Sequence, residues 1–369
     1  MNAFVIERDK LAANVREVMR RTGDKVLYAV VKGDGYGFGL AEYVRLLLDC
    51  GVAAFAVTEP EEAAAIRAAG AREEEILMLR STALEEEIRE LIRVNAVLTI
   101  GSSKAAVAAN GIAGKLGGGP AKVHVKVDTG MGRYGFSPHE TDEIESVFAY
   151  MENLQVCGLY THLNCAFSSK KKTRAQIDTL TRVENRLRDA GYDPGRVHFA
   201  NSSALFRFGD WELRDAVRIG SALTGRLAFP MKHSGLQKVG YLESRVCEVR
   251  WLQPGATVGY GGAYRARHAT RIAVAPLGYS HGFAVEKIRD TYRLRDGIRF
   301  VLQDIKRTLM RERVTVTVGG KPARVLGHVG MLHTVLDVTH IECDVGDRVT
   351  ASVSPLYVDG RVARKFVDS

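Results

Sequence analysis

Lys32 occupies a position where an amine can do chemistry. It follows the apolar run of residues 26–31, and glycines alternate behind it at positions 33, 35, 37 and 39. An amine that is partly removed from water has a lowered pKa and can form an imine with an aldehyde. Because glycine has no Cβ, a flat, bulky cofactor can come close to this backbone. The alternative is a solvated lysine that simply caps a strand.

Further reactive side chains follow later apolar runs. The segment "KVDTGMGRYGF" supplies Lys126, Asp128 and, past two glycines, Arg133. An arginine on a glycine loop suits recognition of a carboxylate through its two-pronged guanidinium, although a surface salt bridge would use the same residues. The run "GLYTHL" ends near His162, whose ring is either a structural residue or a face for stacking.

Two turns of small residues offer groups that bind an anion. In "HFANSSAL", Asn201 and Ser202 lie where a strand passes into a helix, and Ser202 is a candidate N-cap residue. In "RIGSALTG", a second turn places Gly220 and Ser221 after the next run. Free backbone N–H groups in such turns bind phosphate. An imine-forming lysine and a phosphate cradle together suggest pyridoxal phosphate, which is an anionic aldehyde.

The elements that must position these side chains follow a regular pattern. From Val26 to about Arg218, eight short apolar runs alternate with amphipathic stretches, which predicts a parallel sheet covered by helices. Eight consecutive units point to an α/β fold of the TIM-like (β/α)8 barrel type, with a doubly wound open sheet as the alternative. Since the carboxyl ends of barrel strands meet at one face, the side chains described above would surround one site.

The pattern changes after about Met231. The remaining runs are β-rich and broken by glycine turns, which predicts a second, mostly antiparallel β-domain. We therefore expect a barrel over residues 1–234 and a C-terminal β-domain over residues 235–369. A long, basic helical segment from Val285 to Arg313 interrupts the second domain and is interpreted as an insertion.

Composition limits the class of protein. The 369 residues carry 52 basic and 43 acidic side chains, a net charge of +9, but the two signs are interleaved and no nucleic-acid-binding motif is present. Small anions therefore fit this charge better than nucleic acid. No apolar stretch reaches the roughly 20 residues that span a membrane, and charges follow too early for a secretory signal. Five scattered cysteines without metal-like spacing indicate a cytoplasmic protein and no metal site.

Two motifs carry a family resemblance. "AVVKGDGYGFG" resembles the lysine motif, and "KVDTGMGRYGF" the second hallmark, of the alanine racemase family, whose members are fold-type III pyridoxal-phosphate enzymes. The resemblance runs through the barrel and most of the second domain. It implies that Lys32 binds the cofactor and Arg218 its ring nitrogen. It further implies that Tyr36, Ser202, Gly220 and Ser221 contact the cofactor phosphate and that His162 stacks on the cofactor ring. Arg133 would bind the substrate carboxylate, and Lys126 would be a carbamylated lysine that steadies this arginine.

The resemblance extends to a second catalytic group. "VGYGGAY" resembles the segment that carries the family's second base, which would be Tyr260 acting in the active site of a partner subunit. Tyr279 and Met331 match residues that reach across the same interface, so the resemblance implies a homodimer with shared active sites. Racemisation removes the α-proton from one face and returns it on the other, and Lys32 and Tyr260 would serve these two faces. The expected reaction converts L-alanine into D-alanine.

Some positions depart from the family pattern. Leu332 follows Met331 where the family usually has an aspartate, and His328 stands where an arginine is common. Ser354 falls where the family commonly has a tyrosine. These departures leave serine, or a broader range of small amino acids, open as the substrate.

Three other functions compete with a racemase. A fold-type III decarboxylase of a basic amino acid shares the two-domain arrangement, but it requires an acidic partner at the ring nitrogen, which Arg218 opposes. A non-catalytic carrier of pyridoxal phosphate would resemble the barrel alone, so the second domain, which carries Tyr260, argues against this function. Leu332, which stands where the family usually has an aspartate, keeps this function open. An imine-forming aldolase that works without the cofactor would leave the second domain unexplained.

Overall fold

The first strand of the chain belongs to the same unit as its last residues. The computed structural model describes residues 2–208, 211, 213–286, 294–310 and 314–368. It divides into a unit of Arg8–Val239 and a unit of residues 2–7 with Gly240–Val367. The expected division at 234/235 therefore differs from the structure at two points. Strand β1 (Ala3–Glu7) joins the sheet of the second unit, and the barrel unit continues to Val239.

Eight parallel strands form a closed barrel in the first unit. They are short and rich in apolar and β-branched residues, as buried parallel strands are. Neighbours pair in chain order, and the last strand pairs with the first, which confirms the predicted barrel and excludes the open sheet. The strands are β2 (Val26–Val30), β3 (Ala54–Val57), β4 (Glu75–Ser81), β5 (Val97–Ile100), β6 (Ala121–Lys126), β7 (Leu154–Tyr160), β8 (Arg196–Asn201) and β9 (Ala216–Ile219).

Helices surround this barrel. In order they are α1 (Arg8–Thr22), the short α2 (Lys32–Tyr36), α3 (Leu40–Asp49), α4 (Pro60–Ala68), α5 (Glu85–Arg93), α6 (Ser103–Leu116), α7 (Thr141–Tyr150), α8 (Lys170–Asp189) and α9 (Ser202–Arg207). Pro60 occupies the first turn of α4, where its missing N–H costs nothing. Ser102 and Ser169 cap α6 and α8 by accepting backbone N–H groups through their side chains.

Side chains fill the barrel interior. Alternate positions of the strands point inwards and form a buried cluster. Its members are Tyr28, Val30, Ala54, Ala56, Leu77, Val97 and Ala216. Because this cluster fills the interior, ligands have access only to the ends of the barrel.

The second unit is built on one nine-stranded sheet. The strand order is β11-β14-β17-β16-β15-β18-β10-β1-β19. Within the described part of this sheet, only β1 and β19 pair in parallel, and all other neighbours are antiparallel. This confirms the mostly antiparallel β-domain. Its strands, with the separate pair β12–β13, are β10 (Tyr241–Arg245), β11 (Glu248–Leu252), β12 (Thr257–Val258), β13 (Tyr264–Arg265), β14 (Thr270–Ala275), β15 (Thr315–Val318), β16 (Lys321–Leu326), β17 (Thr334–Asp337), β18 (Arg348–Ala351) and β19 (Ala363–Val367).

A helix lies in the segment that interrupts this unit. Helix α10 (Leu294–Leu309) occupies its centre, while residues 287–293 and 311–313 lie outside the described residues. One side of α10 exposes aliphatic side chains at helical spacing, at positions 294, 298, 301, 302, 305 and 309. Of the helices in the described ranges, none is long and apolar enough to cross a membrane.

Candidate active site

A cavity of about 450 Å³ opens at the carboxyl ends of the barrel strands. This is the face on which barrel enzymes carry their active sites. Of the barrel side chains that sequence reasoning brings to this site, all but Asp128 line this cavity. These residues are Lys32, Tyr36, Lys126, Arg133, His162, Asn201, Ser202, Arg218, Gly220 and Ser221.

Lys32 lies just past the end of a strand and directly before a left-handed turn. Strand β2 ends at Val30, and residues 33–36 all have φ between 53° and 64°. Glycine adopts this conformation readily, whereas for Asp34 and Tyr36 it costs roughly 1–2 kcal/mol each. The Asp34 carboxylate accepts the N–H of Leu40 at 2.8 Å and helps to hold the turn. The turn therefore stores strain directly beside the lysine.

The surroundings of Lys32 favour its uncharged form. Burial lowers the pKa of this amine, and the positive charge of Arg133 lowers it further, while Glu62 opposes both. Glu62 is fixed in place because it accepts the N–H of Gly33 at 2.5 Å and that of Thr58 at 3.0 Å. An uncharged lysine has the lone pair that attacks a carbonyl carbon.

The turns after β8 and β9 meet Tyr36 on one side of the cavity. The Ser202 hydroxyl oxygen accepts the N–H groups of Gly220 at 3.3 Å and Ala222 at 3.4 Å. A Cβ at Gly220 would collide with the Tyr36 hydroxyl, so glycine is required there. The expected N-cap at Ser202 is wrong, because Asn201 precedes α9 and accepts an N–H of its first turn. Hydroxyls and N–H groups converge here, as in sites for phosphate.

The loop after β6 presents Arg133 to the cavity. Asp128 accepts the backbone N–H groups of the four residues 130–133 at distances of 2.7 to 3.1 Å. Gly135 closes the loop, since a Cβ there would lie 2.7 Å from the Asp128 nitrogen. Its positive φ of 123° also suits glycine alone. Asp128 is thus a loop-ordering residue, and Arg133 is the loop's cation at the cavity.

Lys126 is buried beneath that loop. Its Nζ donates to the carbonyl of Leu79 at 3.3 Å and lies 5.3 Å from the ring centre of Tyr160. Burial, followed by the charges of Arg218 and Arg133, lowers the pKa of Lys126 to about 7. Near neutral pH a large fraction of this amine is therefore uncharged.

Arg218 forms the floor of the cavity. It is 3 % exposed, donates to the carbonyl of Thr161 at 2.6 Å, and lies 4.8 Å from the ring centre of Tyr160. Burial lowers its pKa to about 10, so it remains a cation at neutral pH. His162 lies close by, and burial followed by the charge of Arg218 lowers its pKa to about 3. The imidazole of His162 is therefore neutral and can lie flat against an aromatic ring.

Sequence reasoning missed two histidines behind Arg218. His198 on β8 contacts the guanidinium, and His124 on β6 contacts His198. A usable signal existed, because side chains two positions apart on a strand share a face. His124 lies two positions before Lys126, so a lysine facing the interior implies a histidine facing the interior.

The remaining assigned residues lie in the second unit and are exposed. Tyr260 is 92 % exposed in a short turn of Tyr260–Gly262, and Met331 is 57 % exposed. The loop of Tyr279 is bound to that of Met331, because the Tyr279 N–H donates to the Gly330 carbonyl at 3.1 Å. Leu332 beside them is also exposed.

The fold and the cavity together define a (β/α)8-barrel enzyme that has a desolvated lysine, an anion-binding pair of turns and a buried arginine at one site. Family models agree with this class. The N-terminal domain model of alanine racemase matches residues 6–228, and the C-terminal domain model matches residues 239–355. The chain therefore belongs to the alanine racemase family, and it is an amino-acid racemase, an isomerase of that type.

Individual relatives lead to the same family. The alanine racemase of Desulforamulus reducens is 33% identical over 356 residues, which cover 93% of this chain and 88% of that protein. The alanine racemase of Methanococcus maripaludis is 31% identical, with 94% and 87% covered. Among solved structures, an alanine racemase from Clostridium difficile 630 superposes with a TM-score of 0.85 at 25% identity, covering 100% of this chain and 96% of that one.

Proposed function

We propose that this protein interconverts the L- and D-forms of a small amino acid, alanine first, with pyridoxal phosphate as its cofactor. The observation that carries the proposal is the single cavity that joins Lys32 to the turns at Ser202 and Gly220. An aldehyde that also carries a phosphate satisfies both ends of this cavity. The named relatives support alanine as the first substrate to test.

The donor set fits the cofactor. The cradle of Tyr36, Ser202 and Ser221 offers hydroxyls and backbone N–H groups to a phosphate, and a side chain at Gly220 would block it. The neutral ring of His162 and the cation of Arg218 line the same cavity. When bound, pyridoxal phosphate supplies an aldehyde for an amine and a ring that acidifies the Cα–H of the attached amino acid.

The chain's own residues supply binding and proton transfer. Arg133 binds the substrate carboxylate, because its loop is held by Asp128 and its guanidinium matches two oxygens. Lys32 moves the proton at Cα on one face, since its lowered pKa suits a general base. Tyr260 of the partner subunit moves it on the opposite face, so the working form is a homodimer with shared sites.

Lys126 has a separate role in this proposal. In its uncharged form, this buried amine beside two arginines is able to add carbon dioxide, release one N–H proton to water and become a carbamate. A carbamate would place an anion, instead of a neutral amine, next to the cations of Arg133 and Arg218. This change would fix the orientation of Arg133 towards the substrate.

The range of substrates is a second part of the proposal. Leu332 is exposed and apolar beside Met331, and Ser354 precedes a short turn of Pro355–Tyr357. A leucine in place of an acid, and a serine in place of a larger ring, favour tolerance of side chains beyond methyl. Serine is therefore the second substrate to test. A decarboxylase is disfavoured, because the cation of Arg218 leaves the ring a weaker electron sink.

A substrate panel on the pyridoxal-loaded protein tests the proposal. L-alanine, L-serine and larger L-amino acids are followed by deuterium uptake at Cα and by chiral analysis. We expect conversion of alanine or serine in the parent, and neither cofactor attachment nor activity in Lys32→Ala. Lys171→Ala, an exposed lysine on α8, is the matched control and should behave as the parent. Cofactor binding without exchange on any substrate would instead favour the carrier function.

A further inference from the structure

Two buried histidines connect Arg218 to the interior of the barrel. An Arg218 terminal nitrogen lies 2.5 Å from Nδ1 of His198, and Nε2 of His198 lies 3.0 Å from Nδ1 of His124. All three side chains are almost fully buried. They come from β9, β8 and β6, so the chain of hydrogen bonds runs across the barrel.

The chemistry of arginine fixes the direction of every hydrogen bond in this chain. A guanidinium can only donate, so Nδ1 of His198 must accept. In a neutral imidazole the other nitrogen then carries the proton, and Nε2 of His198 donates to Nδ1 of His124. The same rule puts the His124 proton on Nε2. That atom is buried and finds no hydrogen-bond partner within the part of the chain that the structure describes.

Both rings are neutral. Burial, followed by the charges of Arg196 and Arg218, lowers the pKa of His124 to about 3. Burial, followed by the charge of Arg218, lowers the pKa of His198 well below its ordinary value. A proton added to either ring would face these cations and would remove an acceptor from the chain.

Packing prevents the rings from turning. The His198 ring stacks on that of Tyr160, with centroids 4.8 Å apart and planes at 8°. On its other neighbour, Tyr28, the centroid distance is 5.6 Å. The His124 ring lies against Gly158, where a Cβ would be 2.6 Å from Nε2. A ring flip that exchanged the two nitrogens would therefore meet steric resistance.

We propose that His124 and His198 are positioning residues that form a one-way hydrogen-bond relay and fix the guanidinium of Arg218 in the cavity. The unpartnered N–H of His124 supports a positioning role, since a buried donor without an acceptor costs about 1–3 kcal/mol. His124 acts through His198, because its acceptor keeps the His198 proton on Nε2. Without the Nδ1 acceptor of His124, the His198 proton can move from Nε2 to Nδ1. Nδ1 then no longer accepts the hydrogen bond from Arg218. The consequence for a bound cofactor rests on the function proposed above.

The relay is tested first in the cofactor-free protein by NMR with ring-labelled histidine. We expect both residues to show the neutral tautomer with the proton on Nε2 from about pH 5 to about pH 9. His124→Asn and His198→Asn identify the two sets of signals. A protonated ring, or a proton on Nδ1 of either residue, would overturn the relay.

A pair of variants then tests the positioning. His124→Asn keeps an acceptor near the place of Nδ1, whereas His124→Leu removes it. The readout is the rotation of the Arg218 guanidinium, seen as separate or merged NMR signals of its terminal nitrogens. We expect separate signals in the parent and His124→Asn, and merged signals with a shifted His198 tautomer in His124→Leu. Unchanged His198 and Arg218 signals in His124→Leu would refute the positioning role.

Loading with pyridoxal phosphate links the relay to the site. We expect His124→Leu to weaken cofactor binding by roughly fivefold to tenfold, as the loss of one hydrogen bond would do, and His124→Asn to restore it. The exposed His139→Asn is the control and should match the parent. If the parent itself does not bind the cofactor, the proposed function fails while the NMR result still decides the relay. If His124→Leu does not fold, the tautomers of the parent remain decisive.

Discussion

At the scale of single residues, the two proposed bases have opposite environments. Lys32 is largely removed from water, and this burial lowers its pKa towards the range where a base works. Tyr260 is 92 % exposed, so no residue that the structure describes shields its hydroxyl from water. A tyrosine acts as a base through its phenolate, which needs neighbouring cations or hydrogen-bond donors to stabilise it. This contrast is the physical reason to expect the environment of Tyr260 to come from a second subunit.

Tyr260→Phe removes the hydroxyl and keeps the ring. We expect racemisation to fall by about 10² to 10⁴-fold in both directions, because each direction uses both proton transfers and one of them loses its base. Cofactor binding should be retained, since Lys32 is unchanged. Initial rates from each enantiomer and the visible absorbance of the loaded protein measure the two effects.

The control for this change is Tyr150→Phe, which alters another exposed tyrosine, 75 % exposed and at the end of α7. It should leave both rates as they are in the parent. Equal rates for Tyr260→Phe and the parent in both directions would remove Tyr260 from the mechanism.

At the scale of elements, the loop between β6 and α7 shows how a carboxylate orders a backbone. Asp128 collects four consecutive N–H groups, and the fourth belongs to Arg133. These bonds give the loop one conformation and leave the arginine side chain at the cavity. The order of the loop therefore sets the position of the cation.

Asp128→Ala should mainly weaken substrate binding. Without the carboxylate, the loop gains conformations in which Arg133 is displaced, so we expect KM to rise roughly tenfold, with a smaller change in kcat. Asp128→Asn retains part of the acceptor capacity and should lie between the two. Steady-state kinetics measures both constants, and Asp178→Ala on the exposed side of α8 is the control. A fall in kcat at constant KM would contradict this account.

At the scale of the whole molecule, the proposed sharing of active sites between subunits predicts complementation between inactive variants. Lys32→Ala and Tyr260→Phe each inactivate both sites of their own homodimer. In a mixed dimer, one site combines an intact Lys32 with the other subunit's intact Tyr260. After random exchange of subunits, half of the dimers are mixed, so we expect about a quarter of the parent activity.

Co-expression of the two variants with different purification tags measures this complementation. The doubly tagged dimers should be active, while each singly tagged population should not. Inactive mixed dimers would mean that Lys32 and Tyr260 act within one subunit, and the shared site would then be wrong.

The sequence predicts the barrel and the grouping of these side chains at one of its ends, because both depend on local patterns. Alternating runs identify the strands, and the carboxyl ends of parallel strands must meet, so the order of residues along the chain is enough to bring Lys32, Arg133 and Ser202 together. The left-handed turn after Lys32 does not follow from the pattern, since two of its four residues are not glycine. The N-cap at Asn201 depends on one hydrogen bond, which cannot be read from the amino-acid sequence.

Long-range pairing lies beyond the sequence pattern. The residue pattern of β1 does not differ from that of a barrel strand. Its partner strands β10 and β19 lie more than two hundred residues further along the chain, so the pattern does not identify them. The relay of His124 and His198 is a similar case. Each histidine is visible as a residue facing the barrel interior, but only the three-dimensional register places β6 and β8 so that the two rings touch.

The placement of β1 has a consequence for how the protein is made. Its residues are synthesised long before their partners, because Val5 pairs with Tyr241 and Ala3 pairs with Ala363. At about 5–20 residues per second, the wait for Tyr241 alone is roughly 10 to 50 s, long enough for the barrel to fold in between. During that interval β1 has no partner strand to pair with. During synthesis β1 is thus exposed to mispairing, and translation speed rather than sequence sets the length of that exposure.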